Sequence, residues 1–223
     1  KIRQIAIPTT LSGGEYSIIG GAMDSKIQLK ERYSGDDICP QVVILDPAIT
    51  LHTPDWLWLS TAIRSVDHAV EGLCANSTNP LIPPMALNSL QLFGSSLRGT
   101  YKDRDDIISR SLSQKAVWMI AKNLGNTPMG ASHGIGYLLG SIGSVPHGHT
   151  SCVMLPAVLK WNESNNKEKQ KWIANALGRP NLSASESVSE LISDLGLPKT
   201  LEEVGIKESQ WDKIAEYGLN HPT

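Results

Sequence analysis

Three histidines are the residues of this sequence best suited to chemistry. His68 lies within IRSVDHAVEG (residues 63–72), His133 opens the glycine-rich stretch HGIGYLLGSIG, and His147 follows Pro146 in SVPHGHT. Imidazoles from separate helices can converge on one divalent cation, for which His is the commonest ligand. A helical ligand pair usually spans four residues. Four before His68 stands Arg64, a cation where a metal would want a carboxylate. The nearby acid, Asp67, is adjacent to His68, and neighbouring helix positions point about 100° apart, which argues against it as a substitute. Each histidine taken alone is more simply a satisfied core residue. Three in separate elements, two of them flanked by glycine, bring the metal reading level with that simpler one. His52 and His221 lie in loop-like or terminal contexts and are set aside.

A second candidate is PTTLSGGE, Pro8 to Glu15. A strand running into two threonines, a serine and two glycines offers hydroxyls and unhindered N–H groups to an anion such as a diphosphate. It is neither a dinucleotide GxGxxG nor a Walker loop, which needs Lys-Ser/Thr after the glycines. The simpler reading is an ordinary tight turn.

The elements that must position these residues divide at about residue 50. Before it the chain is β-rich, with strand-like runs over 2–7, around IIGGAM and KIQL, and in QVVILDP (Gln41–Pro47), a β-branched run typical of a buried strand. After it the pattern is helical, with Thr53 as N-cap and Pro54 in the first helical position. Helices are expected at about 54–76, 83–100, 104–124, 131–142, 150–162, 165–177, 183–195 and 208–217. Gly134, Gly136 and Gly140 recur within the fourth. Glycine weakens a helix by ~1 kcal/mol against alanine, so close packing or a ligand is expected there. TSCVMLPAVLKWN reads as an amphipathic core helix, and the six tryptophans read mainly as core and helix–helix contacts. The plan is a small β-rich piece followed by an all-α domain of roughly 170 residues.

The 223 residues suffice for one or two domains with a large core. A net charge of -2 and a pI near 6.3 argue against a nucleic-acid surface. No apolar run approaches the ~18 residues that span a bilayer. Cys39, Cys74 and Cys152 are odd in number and widely spaced, fitting buried thiols in a reducing compartment. A cytoplasmic protein is expected. The chain begins on a strand-like run and ends at LNHPT without a visible cap, which fits part of a longer protein.

Taken together, PTTLSGGE, VVILDPAIT, DHAVEG and GASHGIGYLLGSIGSVPHGHTSCVMLPAVLKWN resemble, in order, the iron-containing alcohol dehydrogenase family, and specifically its maleylacetate reductase-like branch. The later LISDLGLPKTLEEVGI is similar to that family's C-terminal helices. The resemblance implies the dehydroquinate synthase-like architecture: an α/β dinucleotide-binding domain, an all-helical domain, and an active site between them. Residues 1–50 would be the end of the α/β domain, and 51–223 the helical metal and substrate domain. It further implies NAD or NADP as cofactor, with Thr9, Thr10, Ser12 and Gly13 lining its phosphate and ribose side and Leu51 near the nicotinamide. His68, His133 and His147 match the family's three histidine ligands for a divalent metal, Fe2+ or Zn2+. The family's aspartate ligand falls on Arg64, a position where maleylacetate reductases often carry Asn. Tyr137 stands where the family commonly has a further His; it can donate a hydrogen bond but cannot relay protons as imidazole does.

The activity so implied is NAD(P)H-dependent reduction of a small oxo-acid or unsaturated acid by a protein that is often a homodimer. Arg64 divides the mechanism. In one expectation its fixed charge replaces the metal, binding a substrate carboxylate or polarising a carbonyl while His68, His133 or His147 supplies protons. In the other, Arg64 pairs with Asp67 or Glu71 while the three histidines and water hold the metal. Two further classes remain open: a non-redox lyase, aldolase-like or isomerising enzyme on the same scaffold, and a non-catalytic helical partner.

Overall fold

The computed structural model describes residues 3–24, 29–121 and 129–220. Strands β1 (Ile5–Ala6), β2 (Ile19–Asp24), β3 (Leu29–Ser34) and β4 (Val42–Val43) come first. β1 pairs with β4 in parallel, and β2 with β3 antiparallel, Ile19 lying opposite Ser34. The buried strand expected over 41–47 is corrected by this sheet. Pairing covers Val42 and Val43, and Val42 and Ile44 remain 47% and 46% exposed. A two-stranded sheet leaves the faces of its apolar residues uncovered.

The helices are α1 (Asp55–Cys74), α2 (Ile82–Lys102), α3 (Ile107–Ala121), α4 (Ala131–Gly143), α5 (His147–Trp161), α6 (Lys167–Ala176), α7 (Ala184–Asp194) and α8 (Trp211–Asn220). Each falls on one of the expected segments. The cap of α1 differs from expectation. Pro54 holds the N-cap position, and the Thr53 hydroxyl instead donates to the Thr9 carbonyl at 2.7 Å. That bond ties the β-rich segment to the start of the helical body.

α1 is buried continuously from Trp58 to Leu73. A helix covered on every side is a central one, and α1 packs against α2, α3 and α5. The α1–α5 crossing depends on Gly148, where a Cβ would sit 2.5 Å from the Ser60 carbonyl carbon. Gly136 serves α4 and α5 similarly, its Cβ position lying 2.9 Å from Thr150 Oγ1. Close packing therefore accounts for that helical glycine. Leu138, Leu139, Val145, Ile206 and Ile214 form a smaller cluster that holds α8 against α4.

The tryptophan expectation also needs correction. Trp58 alone of the six is buried; Trp56, Trp118, Trp161, Trp172 and Trp211 are 43% to 85% exposed. Trp58 carries a cation on its face, the fully buried Arg110 guanidinium, 4.8 Å from the ring centroid. Arg110 donates to the Thr50 carbonyl (2.9 Å) and the Arg104 carbonyl (2.7 Å), fixing the turn that leads into α1.

Candidate active site

Arg64, Asp67, His68 and Glu71 fall at i, i+3, i+4 and i+7 of α1, one stripe of a helix. All four are buried, Asp67 completely. The stripe corrects the argument that set Asp67 aside. Its angular offset from His68 directs it toward α4 and α5 instead of removing it from the site.

Glu71 reaches the start of α4. Its carboxylate accepts from the backbone N–H of Gly130 (2.7 Å) and Ser132 (2.8 Å), and meets His133 Nδ1 at 2.7 Å. Unpaired amides at a helix N-terminus favour an anion, so Glu71 caps α4 from a neighbouring helix. Gly130 is required by this approach, since a Cβ there would lie 2.7 Å from Glu71 Oε1. Asp67 Oδ2 accepts from the hydroxyls of Ser132 (2.7 Å) and Ser151 (2.6 Å) and lies 3.4 Å from His133 Nδ1. Arg64 Nη1 donates to Ser151 Oγ at 3.1 Å. Among the described residues Arg64 makes no direct ion pair with Asp67 or Glu71; Ser151 stands between the guanidinium and Asp67.

The imidazoles of His68 and His133 stack, with centroids 4.7 Å apart and planes at 28°. Burial holds the His68 pKa well below its ordinary 6.5, and the neighbouring His133, Arg64 and His147 push it the same way. His68 is therefore neutral, and three sequence-expected residues surround it. Burial lowers the Arg64 pKa, against the pull of Asp67 and Glu71. Burial raises the Asp67 carboxyl, opposed by His133, Arg64 and the Ser151 hydroxyl. Burial also pushes Glu71 upward, but His133 and the two backbone amides outweigh it and leave Glu71 below the usual carboxylate range.

His147 begins α5 at the exposed end of this cluster, and Tyr137 lies one turn past His133, 49% exposed. The glycine turn meets α1 at Thr61 and Ser65, on the helix face that also carries His68. Leu11 N–H donates to Thr61 Oγ1 at 3.1 Å, and Ser65 Oγ donates to the Leu11 carbonyl. Gly13 adopts φ 77°, a conformation that favours glycine. Thr10 and Ser12 hydroxyls lie 3.3 Å apart, and Thr9 is exposed. The Leu51 carbonyl accepts from Arg104 at 3.2 Å. Since Ser65 adjoins Arg64, one helix carries both the turn and the histidine cluster.

Asp67, Glu71 and His133 place ligand atoms within 4.8 Å of one another. The Glu71 oxygens and Asp67 Oδ2 already accept hydrogen bonds, so this trio supports a site more readily than it forms one. His133 Nε2 and His68 Nδ1 are buried without a partner. A ligating histidine characteristically has its other nitrogen held by a carboxylate, as Glu71 holds His133 Nδ1. Orphaned nitrogens on two stacked imidazoles, one of them carboxylate-backed, leave His68 and His133 with donor atoms available to a ligand. Sequence reasoning missed Asp67, Glu71, Ser132 and Ser151 as participants. The three- and four-residue spacing within RSVDHAVE was the signal available for the first two.

The helical body thus carries two stacked, buried histidines, one of them backed by a carboxylate, beside a glycine turn. Residues 59–222 match the family model described as Fe-containing alcohol dehydrogenase family, C-terminal, and the chain belongs to that family. It is 34% identical to dehydrogenase ALT3 of Alternaria alternata, the match covering 96% of this chain and 64% of that protein. It is 29% identical to a maleylacetate reductase of Pseudomonas sp. strain P51, covering 95% of this chain and 59% of that one. The crystal structure of maleylacetate reductase from Rhizobium sp. strain MTP-10005 superposes with a TM-score of 0.91 at 28% identity, over 99% of this chain and 62% of that one. The chain thus spans about three fifths of the length of these relatives.

Proposed function

We propose that this chain serves an NAD(P)H-dependent reductase of a small oxo-acid or unsaturated acid, as the name of its maleylacetate reductase relatives suggests. The observation that carries this is the Glu71–His133 pair, which leaves a bare imidazole nitrogen beside neutral His68. His68, His133 and His147 would hold a divalent metal, Fe2+ or Zn2+, which would supply a Lewis acid for the substrate oxygen. Glu71 fixes the orientation of His133. The guanidinium of Arg64, aimed by Ser151, supplies a fixed positive charge that favours a substrate carboxylate. Tyr137, at the exposed end, would donate a hydrogen bond, and where Arg64 replaces the metal, His147 would exchange a proton with solvent. Thr9, Thr10, Ser12, Gly13 and Leu51 are assigned to the nicotinamide cofactor, with its diphosphate against the glycine turn.

Oxidation of NADH and NADPH by the purified protein against a panel of oxo-acids and unsaturated acids tests this reading; no turnover across the panel sinks it. The burial of Arg64 beside His68 favours a second version, in which the guanidinium replaces the metal. Metal analysis separates the two, since stoichiometric Zn2+ or Fe2+ excludes the replacement. Product formed without any nicotinamide would favour a non-redox enzyme, and stable association with another chain without nicotinamide binding would favour a helical partner. A cytoplasmic homodimer goes with the reductase reading, and light scattering of the purified protein tests the dimer.

A further inference from the structure

We infer that Arg64 grips the substrate carboxylate with its Nε–Nη2 edge while Ser151 holds its Nη1, and that this selects short acids. Their reducible carbon lies one or two bonds from the carboxyl carbon, as in 2-oxo and 3-oxo acids. This rests on the reductase reading above, with the reducible group at the histidines.

The donor count of Arg64 argues for a ligand. A guanidinium carries five N–H donors in a planar fork. Arg64 is 6% exposed, yet among the described residues Nη1 alone meets an acceptor, Ser151 Oγ at 3.1 Å. Its Nε is buried without a partner. Buried polar groups are normally hydrogen-bonded, and an exception calls for an explanation. Buried Arg110 is the structural contrast, since its Nε and Nη1 both donate to backbone carbonyls. With Nη1 of Arg64 held by Ser151, the Nε–Nη2 edge is left over. Its two parallel donors match the two oxygens of a carboxylate.

Three helices place this guanidinium one turn from the histidines. On α1, Arg64 precedes His68 by four residues. On α5, Ser151 follows His147 by four. On α4, Gly136 follows His133 by three, and its Cβ position lies 3.7 Å from Arg64 Nη1. Residues so spaced stand ~5–6 Å apart at Cβ. A carboxylate oxygen takes up ~2.9 Å of such a step in reaching its N–H donor. Little more than one or two bonds then fit between the carboxyl carbon and the reducible carbon. A longer acid would fold back or give up one of its two anchors.

The test measures NADH and NADPH oxidation by the purified protein with pyruvate, acetoacetate, levulinate and 5-oxohexanoate, each beside its methyl ester. Calorimetry of malonate binding accompanies it, and circular dichroism checks the folding of each variant. The kcat/KM of the better short acid is expected to exceed that of its ester, and that of 5-oxohexanoate, by about tenfold or more, mainly through KM. Arg64→Met is expected to bring acid and ester within about threefold of each other, and Ser151→Ala to lower their ratio by about threefold or more. A merely structural role for either residue predicts lost stability at an unchanged acid-to-ester ratio. Equal acid and ester in the parent, an unchanged ratio in Arg64→Met, or 5-oxohexanoate as good as the short acids overturns the inference and leaves the reductase standing. Should Arg64→Met fail to fold, the parent series and Ser151→Ala decide. No oxidation with any of these compounds counts against the reductase reading, and malonate then decides the anchor. Binding weakened tenfold or more in Arg64→Met sustains the carboxylate site, and a parent that binds no malonate overturns it.

Discussion

Removing the Glu71 carboxylate should damage the fold and the site together, and the structure sets the size of the effect. Glu71 accepts from Gly130 N–H, Ser132 N–H and His133 Nδ1, all at 2.7–2.8 Å. Glu71→Ala would leave two helix-terminal amides and one imidazole nitrogen unsatisfied in a buried junction. Hydrogen bonds to a charged group contribute ~1.5–3 kcal/mol each, non-additively. A loss of ~3–5 kcal/mol is expected for the metal-free protein. At ~2–4 °C per kcal/mol for a domain of this size, that lowers the Tm by roughly 6–20 °C. Urea denaturation should show a lower midpoint at unchanged slope, since the exposed surface is the same. Zn2+ affinity should fall by ~10–100-fold, the usual effect of losing the group behind a ligating histidine. Glu71→Gln should lie in between, because its amide nitrogen cannot accept from any of the three donors. A Glu71→Ala stability loss below ~1 kcal/mol would falsify the assignment of Glu71 as the cap of α4.

Three other outcomes follow from the same packing and charges. Gly148→Ala should cost ~1–3 kcal/mol, because its Cβ meets the Ser60 backbone at 2.5 Å; an unchanged urea midpoint would show that α1 and α5 can separate freely. His68 has a folded pKa well below its ordinary 6.5, so the unfolded chain binds its proton first as the pH drops. Stability of the metal-free protein should therefore decline below about pH 6.5, by at most ~1.4 kcal/mol per pH unit for this group. His68→Asn should flatten that decline, and identical pH profiles for the two proteins would refute it. Ser65→Ala removes the hydroxyl that holds the Leu11 carbonyl; a stability loss of ~1–3 kcal/mol and weaker nicotinamide binding by fluorescence titration are expected, and intact binding would detach the turn from the cofactor.

The helical half of the fold was legible because its signals are local. Periodic apolar residues place every helix, and Thr53-Pro54 marks the start of α1 within a residue or two. What the pattern could not show was which partner each polar group finds. Thr53 looked like a cap and instead binds Thr9 across 44 positions of chain. Tryptophan's size suggested burial, yet five of six line the surface, because apolar bulk alone does not say which side of a helix meets a neighbour. The strand at Val42 failed for a related reason, since β-branched residues report a strand but not what covers it.

The site divides along the same line. His68, His133 and His147 were legible as residue types, and Arg64 as a departure from the pattern they imply. Asp67 was misjudged because two neighbours on a helix were compared with each other and not with what packs against them. Three helices meet at that point, so a side chain turned away from His68 is turned toward Ser132 and Ser151. In such a junction angular separation on one helix is no measure of distance from the chemistry. A buried polar group in such a junction has to find hydrogen-bond partners, and the residues that supply them belong to the site. Asp67 is therefore the first position to mutate after the histidines, because the hydroxyls from α4 and α5 and the His133 ring all meet its carboxyl group.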